Sequence, residues 1–167
     1  MPTPTDLPRW ISPAQYRALA RVIAAIEGMA VPYQVSGGLA GNLHGSRWPV
    51  EDIDLDVPSD ALAALADLFR TWPGAAVQGP SRYRDDEFEL DLLEITLEGV
   101  EFDISGADDA VVRTPGGARH ALAIDLPASV IRPLGALALR VLPLEELLRY
   151  KRLLGRRADL ADLERLA

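Results

Sequence analysis

The sequence predicts a single α/β domain (α/β in the broad sense that includes α+β) spanning residues 1–167, with a short C-terminal helical appendage over 143–167. Three observations predict it. Segments with apolar residues at helical spacing, led by Leu19, Val22, Ile23 and Ile26, alternate with short apolar or alternating segments around Val35 and Leu55. A strand pattern runs into the glycine pair Gly37–Gly38, and a second strand pattern follows closely. The chain then ends in leucines spaced as on helices. A length of 167 residues suits one well-buried core, and no internal repeat, low-complexity tract or linker divides it.

Taken in order, residues 1–11 hold three prolines and two threonines and read as an irregular arm. Ser12 followed by Pro13 starts a helix, because the hydroxyl can cap free amides and proline suits the first helical position. Gly28 marks its end. A strand over Tyr33 to Ser36 enters the glycines, and a short helix over Leu39 to His44 has its N-terminus at Gly37 and Gly38. A second strand, Val50 to Val57, stops at Pro58, and Ser59 begins a helix that runs through Phe69 and is closed by Trp72, Pro73 and Gly74.

The charged stretch Gln78 to Glu87 reads as a loop, because SRYRDDE offers little to bury. Phe88 to Leu97 and Val100 to Ser105 read as a hairpin around Glu98 and Gly99. Short strands are expected near Ala110 to Arg113 and Ala118 to Ile124. Leu144, Leu147, Leu148, Tyr150 and Leu154 predict a helix from near Pro143 to Gly155, and Leu160, Leu163 and Leu166 a last one from Ala158 to Leu166.

Composition excludes several functions. The absence of cysteine removes disulfides, thiolate nucleophiles and Cys-based zinc sites, and fits a reducing, cytoplasmic setting. Two histidines, His44 and His120, are too few for a His-rich metal centre. No run approaches the ~18 apolar residues of a membrane helix, and MPTPTDLPRW has neither the basic start nor the apolar core of a signal peptide. A formal charge of −8 argues against general nucleic-acid binding, which relies on Lys and Arg patches, but leaves metal-bound nucleotides open.

The chemistry concentrates between Val35 and Val57, VSGGLAGNLHGSRWPVEDIDLDV. Glycines at a strand-to-helix turn let an anion approach the backbone, and free amides at the helix start point at it. Asp52, Asp54 and Asp56 alternate along the strand and so share one face, while Glu51 points to the other. A row of like charges is unfavourable unless neutralised, and a hard divalent cation with oxygen ligands does so. Taken singly, the glycines could be only a tight turn, and the aspartates only a solvated edge strand. The order strand, Gly-Gly, helix, acidic strand brings the two to neighbouring strand ends.

This segment resembles the signature of the polymerase-beta-type nucleotidyltransferase superfamily. GGLAGNLHG followed by VEDIDLDV is similar to small bacterial members such as the aminoglycoside and lincosamide nucleotidyltransferases. The resemblance implies a mixed-sheet nucleotidyltransferase core with flanking helices. It implies a metal-binding pair at Asp52 and Asp54, with Asp56 an extra carboxylate that is either solvated or supports the pair. The third carboxylate is Asp103 in VEFDIS, where Val100, Phe102 and Ile104 leave it on the opposite face, with Asp91 in FELDLLEIT as the competitor. The implied role is general base and metal ligand. Ser36, Gly37, Gly38 and Lys151 are the expected nucleotide contacts, supported by Arg156 or Arg157 and oriented by Asp159 or Asp162.

Other residues keep two readings each: His44 as phosphate or base contact against structural histidine, Arg47 as substrate counter-charge against partner of Glu51, and Trp48 as stacking platform against rim residue. Arg82 to Glu87 could be a solvated surface or a substrate lid.

The expectation is therefore an enzyme: a metal-dependent nucleotidyltransferase using Mg²⁺, two ions with Mn²⁺ as a substitute, and moving a nucleoside monophosphate from an NTP to a hydroxyl acceptor. The acceptor is a small molecule or a protein. The short appendage after Pro143 weighs toward a homodimer-built pocket or a protein partner. The alternatives are a catalytically silent nucleotide- or protein-binding member, such as a toxin–antitoxin component, and a carboxylate-metal hydrolase.

Overall fold

The computed structural model describes residues 6–167, apart from the side chain of Leu163, and residues 1–5 lie outside it. The first helix, α1 (Pro13–Gly28), starts as its sequence requires: Ser12 Oγ accepts from Gln15 N while the Gln15 side chain accepts from Ser12 N. Leu19, Val22 and Ile26 are fully enclosed. The arm ahead of it is irregular as expected over residues 6–11, yet it docks, with Ile11 buried and the Trp10 carbonyl accepting from Val50 N at 2.9 Å.

Nine strands form one mixed sheet in the order β7-β6-β4-β5-β2-β1-β9-β8, with β3 on the other edge of β4. They are β1 (Gln34–Ser36), β2 (Ile53–Val57), β3 (Ala75–Arg84), β4 (Phe88–Leu97), β5 (Val100–Gly106), β6 (Val111–Arg113), β7 (Arg119–Ala121), β8 (Val130–Leu134) and β9 (Leu137–Val141). The helices are α1, α2 (Gly37–Leu43), α3 (Leu62–Arg70), α4 (Leu144–Leu154) and α5 (Arg157–Leu166). Helices α1 and α3 pack against β5, and α3 also against β3 and β4. Their core includes Ile53, Leu55 and Val57 from β2, Leu93 and Ile95 from β4, and Phe102 and Ile104 from β5. Truncating the enclosed Phe102 to alanine would cost about 3–5 kcal/mol.

The β4–β5 hairpin turns where the sequence places it, with Glu98 and Gly99 both at positive φ, the geometry of a tight two-residue turn. Gly155, at φ 62°, ends α4 in the left-handed conformation. Two expectations are corrected. Residues 78–84 are not a loop but the second half of β3, which pairs with β4 from Ala75↔Leu97 to Arg84↔Glu89. The ladder supplies the stability that burial does not, since most of these side chains are exposed. The β8–β9 hairpin was not read from the sequence at all, and β2 begins at Ile53, three residues later than Val50.

Candidate active site

Strand register assembles the acidic residues. Antiparallel β1 places Ser36 opposite Asp54 and Gln34 opposite Asp56, while parallel β5 places Asp103 beside Asp54 and Ser105 beside Asp56. Antiparallel β4 adds Glu94 opposite Asp103. One row, Ser36–Asp54–Asp103–Glu94, therefore crosses four strands on the face away from α1 and α3. A second row, Gln34–Asp56–Ser105–Leu92, runs beside it. Glu94 and Gln34 were not singled out in the sequence, because pairing across strands is invisible until the register is known.

This face forms the floor of a cleft of about 710 Å³ whose opposite wall is α4 and the start of α5. Ser36, Gly37, Gly38, Asp52, Asp54, Asp56, Asp103 and Lys151 all line it, as do Trp48, Glu51, Arg156, Asp159 and Asp162. Asp91 does not belong to this face. Its side chain pairs with Arg82 at 3.5 Å, and its Cβ lies near Gly106 on the other side of the sheet, so Asp103 and not Asp91 shares the Asp54 face. Arg47 stands outside, with Arg9, Trp10 and Pro49 around a second depression.

The carboxylates act on one another. Asp54 is pushed up to about 7, first by burial and then by the charges of Asp103, Asp56 and Asp52. Asp103 is pushed up to about 6 by burial, Asp52, Glu94 and Glu101. Asp52 is exposed and lies one residue before β2, where a hydrogen bond and charge repulsion between it and Glu101 raise the Glu101 carboxyl. Asp56 corrects the solvated reading: it is 7% exposed and accepts from Gln34 Nε2 at 2.9 Å and Ser36 Oγ at 3.3 Å. Burial pushes it up to about 6 against the pull of those two donors.

At the glycine pair the local chain is shaped for close approach. Gly37 has φ 58°, and a Cβ there would stand 2.7 Å from Asp54 Cγ, so any other residue would be strained and would push the Asp54 side chain aside. Gly38 is different, because nothing lies within 4 Å of the position its Cβ would take. Ser36 at the N-cap of α2 gives its hydroxyl to Asp56 instead of to the helix, so no side chain caps the first-turn amides.

Across the cleft, Lys151 is buried between two aspartates, with Nζ 3.1 Å from Asp159 Oδ1 and 3.0 Å from Asp162 Oδ2. Arg156 Nε pairs with Asp159 Oδ2 at 2.8 Å and reaches Glu87 at 3.8 Å, joining the α4–α5 turn to the tip of the β3–β4 hairpin. Phe88 stacks on Tyr150 at the same junction. Arg157 is exposed at the start of α5 and does not line the cleft. His44 is structural: Nε2 meets the Leu142 carbonyl at 2.7 Å, and burial lowers its pKa.

Asp54 and Asp103 offer carboxylate oxygens, the ligand type of hard divalent cations, and their raised pKa values mark a pair that a cation would relieve. Among the described residues, no three His, Cys, Asp or Glu side chains are already drawn into a ligand cage. Asp54 and Asp103 are fixed by the ladder, whereas Asp52 is engaged with Glu101. Asp54 and Asp103 are donors of the type such an ion takes, and Asp52, one residue before β2, is held by Glu101.

The fold is that of the nucleotidyltransferases. It is similar to the crystal structure of a Thermotoga maritima protein assigned as a nucleotidyltransferase, with a TM-score of 0.69 and 21% identity over 93% of each chain. It is also similar to the lincosamide antibiotic adenylyltransferase LnuA with lincomycin bound, at TM-score 0.59 and 17% identity over 90% of this chain and 94% of that one. A third similarity is to ANT(2")-Ia in complex with adenylyl-2"-tobramycin, at TM-score 0.62 and 15% identity over 90% and 86%. No family model matches the sequence, and no curated protein matches it. Among the described residues, no helix is long and apolar enough to cross a membrane.

Proposed function

We propose that this chain is a metal-dependent nucleotidyltransferase that moves a nucleoside monophosphate from an NTP to the hydroxyl of a small-molecule acceptor and releases pyrophosphate. The observation that carries this reading is the register that sets Asp54 beside Asp103 and opposite Ser36, next to the glycine turn. Asp52, Asp54 and Asp103 would hold Mg²⁺, which supplies charge neutralisation for the phosphates and the departing pyrophosphate. Gly37 and Gly38 present backbone amides to the β- and γ-phosphates, and the open space at Gly38 leaves room for them.

Asp103 accepts the acceptor's proton as its oxygen attacks the α-phosphorus and the bond to the pyrophosphate oxygen breaks. Its raised pKa, about 6, suits a general base near neutral pH. Gln34 and Ser36 hold Asp56, which in turn keeps the floor beneath Asp54 polar and fixed. Lys151, although lining the cleft, is committed to Asp159 and Asp162 and acts in this reading to hold α5 on α4.

The test is pyrophosphate release from each of the four NTPs with Mg²⁺ and a panel of hydroxyl-bearing small molecules, with mass spectrometry of the products. An acceptor gaining the mass of a nucleotidyl group, lost in Asp54→Asn, supports the proposal. Turnover retained in Asp54→Asn contradicts it, and Mg²⁺-NTP binding without any product favours the silent member.

A further inference from the structure

Asp162 on α5 is buried and used three times. Its Oδ1 accepts from Ser46 Oγ and from Trp48 Nε1, each at 2.9 Å, and its Oδ2 pairs with Lys151. Holding α5 on α4 does not require all of this, because Asp159 already pairs with Lys151. What Asp162 adds is the reach to residues 116 and 114 positions earlier, in the loop between α2 and β2.

That loop, residues 44–52, has no helix or strand of its own, and other contacts complete its anchorage. Asn42 Nδ2 donates to the Trp48 carbonyl at 2.7 Å and Asn42 Oδ1 accepts from Trp48 N at 3.1 Å. Ser46 N donates to the Gly41 carbonyl, Val50 N to the Trp10 carbonyl, and Gln15 Nε2 to the Val50 carbonyl. Asp52 stands two residues past the last anchor and outside the ladder that fixes Asp54 and Asp103. Its place is therefore set from two sides, by the loop before it and by Ile53, the first residue of β2, after it.

We infer that Asp162 is a positioning residue: through Ser46 and Trp48 it fixes the loop that leads to Asp52, and so holds the backbone from which that carboxylate can join Asp54 and Asp103. The inference rests on the metal-holding role proposed above for Asp52. A carboxylate suits the task because one oxygen can serve two neutral donors while the other faces the Lys151 ammonium.

The test compares wild type, Asp162→Asn and Trp48→Phe by hydrogen–deuterium exchange and by Mn²⁺ titration followed by electron paramagnetic resonance. Trp48→Phe removes one donor and keeps an aromatic ring, so it remains informative if Asp162→Asn unfolds. Exchange should rise over residues 44–52 and stay unchanged in β2 and β5. Mn²⁺ affinity should fall about tenfold, as when a group that orients a metal ligand is lost. In an Asp52→Asn background, Trp48→Phe should cause no further loss of affinity. Unchanged exchange over the loop, or a lowered melting temperature with unchanged Mn²⁺ affinity, overturns the inference. Turnover is not the readout, so the two readings fail separately. Wild type that binds Mn²⁺ and responds to both variants, but makes no product from any NTP, refutes transfer and leaves Asp162 its role. Transfer with Mn²⁺ affinity insensitive to Trp48→Phe removes that role alone, and wild type with no more Mn²⁺ affinity than Asp52→Asn refutes both.

Discussion

Substituting alanine at Gly38 and at Gly37 should push stability in opposite directions while both changes weaken nucleotide binding. Gly38 lies in the first turn of α2 without a positive φ, and a methyl group there meets no atom within 4 Å. Replacing a helical glycine by alanine then stabilises by about 0.5–1 kcal/mol, because the unfolded chain loses freedom and the folded chain loses nothing. For a chain of this length, that raises the melting temperature by about 1–4 °C. The same methyl enters the space proposed for phosphate. Gly37→Ala instead pays about 1–2 kcal/mol for left-handed backbone, and its Cβ would also stand 2.7 Å from Asp54 Cγ, which the β1–β2–β5 ladder holds in place. Thermal unfolding without nucleotide, followed by calorimetric titration of Mg²⁺-NTP, measures both effects. A Gly38→Ala protein that is more stable and binds Mg²⁺-NTP as tightly as wild type would refute the phosphate role of the glycine turn.

Further outcomes are expected. Asp103→Asn should abolish transfer while Mg²⁺-NTP still binds, whereas Asp91→Asn, on the other face, should leave the rate within a few-fold of wild type in the same pyrophosphate assay. Lys151→Met should leave Asp159 and Asp162 buried without their shared cation and cost about 3 kcal/mol in denaturant unfolding. Lost activity at unchanged stability would instead make Lys151 a phosphate contact. Acidification should act in opposite directions. Asp54, Asp56 and Asp103, raised to about 7, 6 and 6, take up protons more readily folded than unfolded and so add stability as pH falls from 7 toward about 4. Two other groups lose stability in two stages. Burial lowers the His44 pKa, so its contribution is present above the unfolded value of about 6.5 and is lost as pH falls toward the folded one. Burial opposes ionisation of Asp162, but hydrogen bonds from Trp48, Lys151 and Ser46 outweigh it and lower its pKa, so its contribution is lost as pH falls below about 4. Unfolding free energies measured between pH 7 and pH 3 should lose the first stage in His44→Gln.

Much of this site was legible because its logic is local. A strand, two glycines, a short helix and alternating aspartates are set by spacing, and spacing is what a sequence displays. What failed depended on partners distant in the chain. Asp56 read as solvated because alternation cannot distinguish a central strand from an edge, and β2 lies between β1 and β5. The choice between Asp103 and Asp91 stayed open until register placed only Asp103 on the Asp54 face. The second half of β3 was missed because its ladder stabilises a segment whose side chains stay in solvent, leaving no apolar alternation to read. In β8, Pro133 interrupts the strand pattern, and only an edge position tolerates it. Lys151 was recognised as a cation of the closing helices, but its two aspartate partners lie 8 and 11 residues on, and only the fold shows that they enclose it.

The central claim is that the glycine turn and the carboxylate row form one nucleotide–metal site. A crystal structure with Mg²⁺ and a non-hydrolysable NTP tests it most directly. Metal density bounded by Asp52, Asp54 and Asp103 is expected, with the terminal phosphates on the amides at Gly37 and Gly38. Nucleotide bound elsewhere, or bound at the glycines with no metal between Asp54 and Asp103, would contradict it.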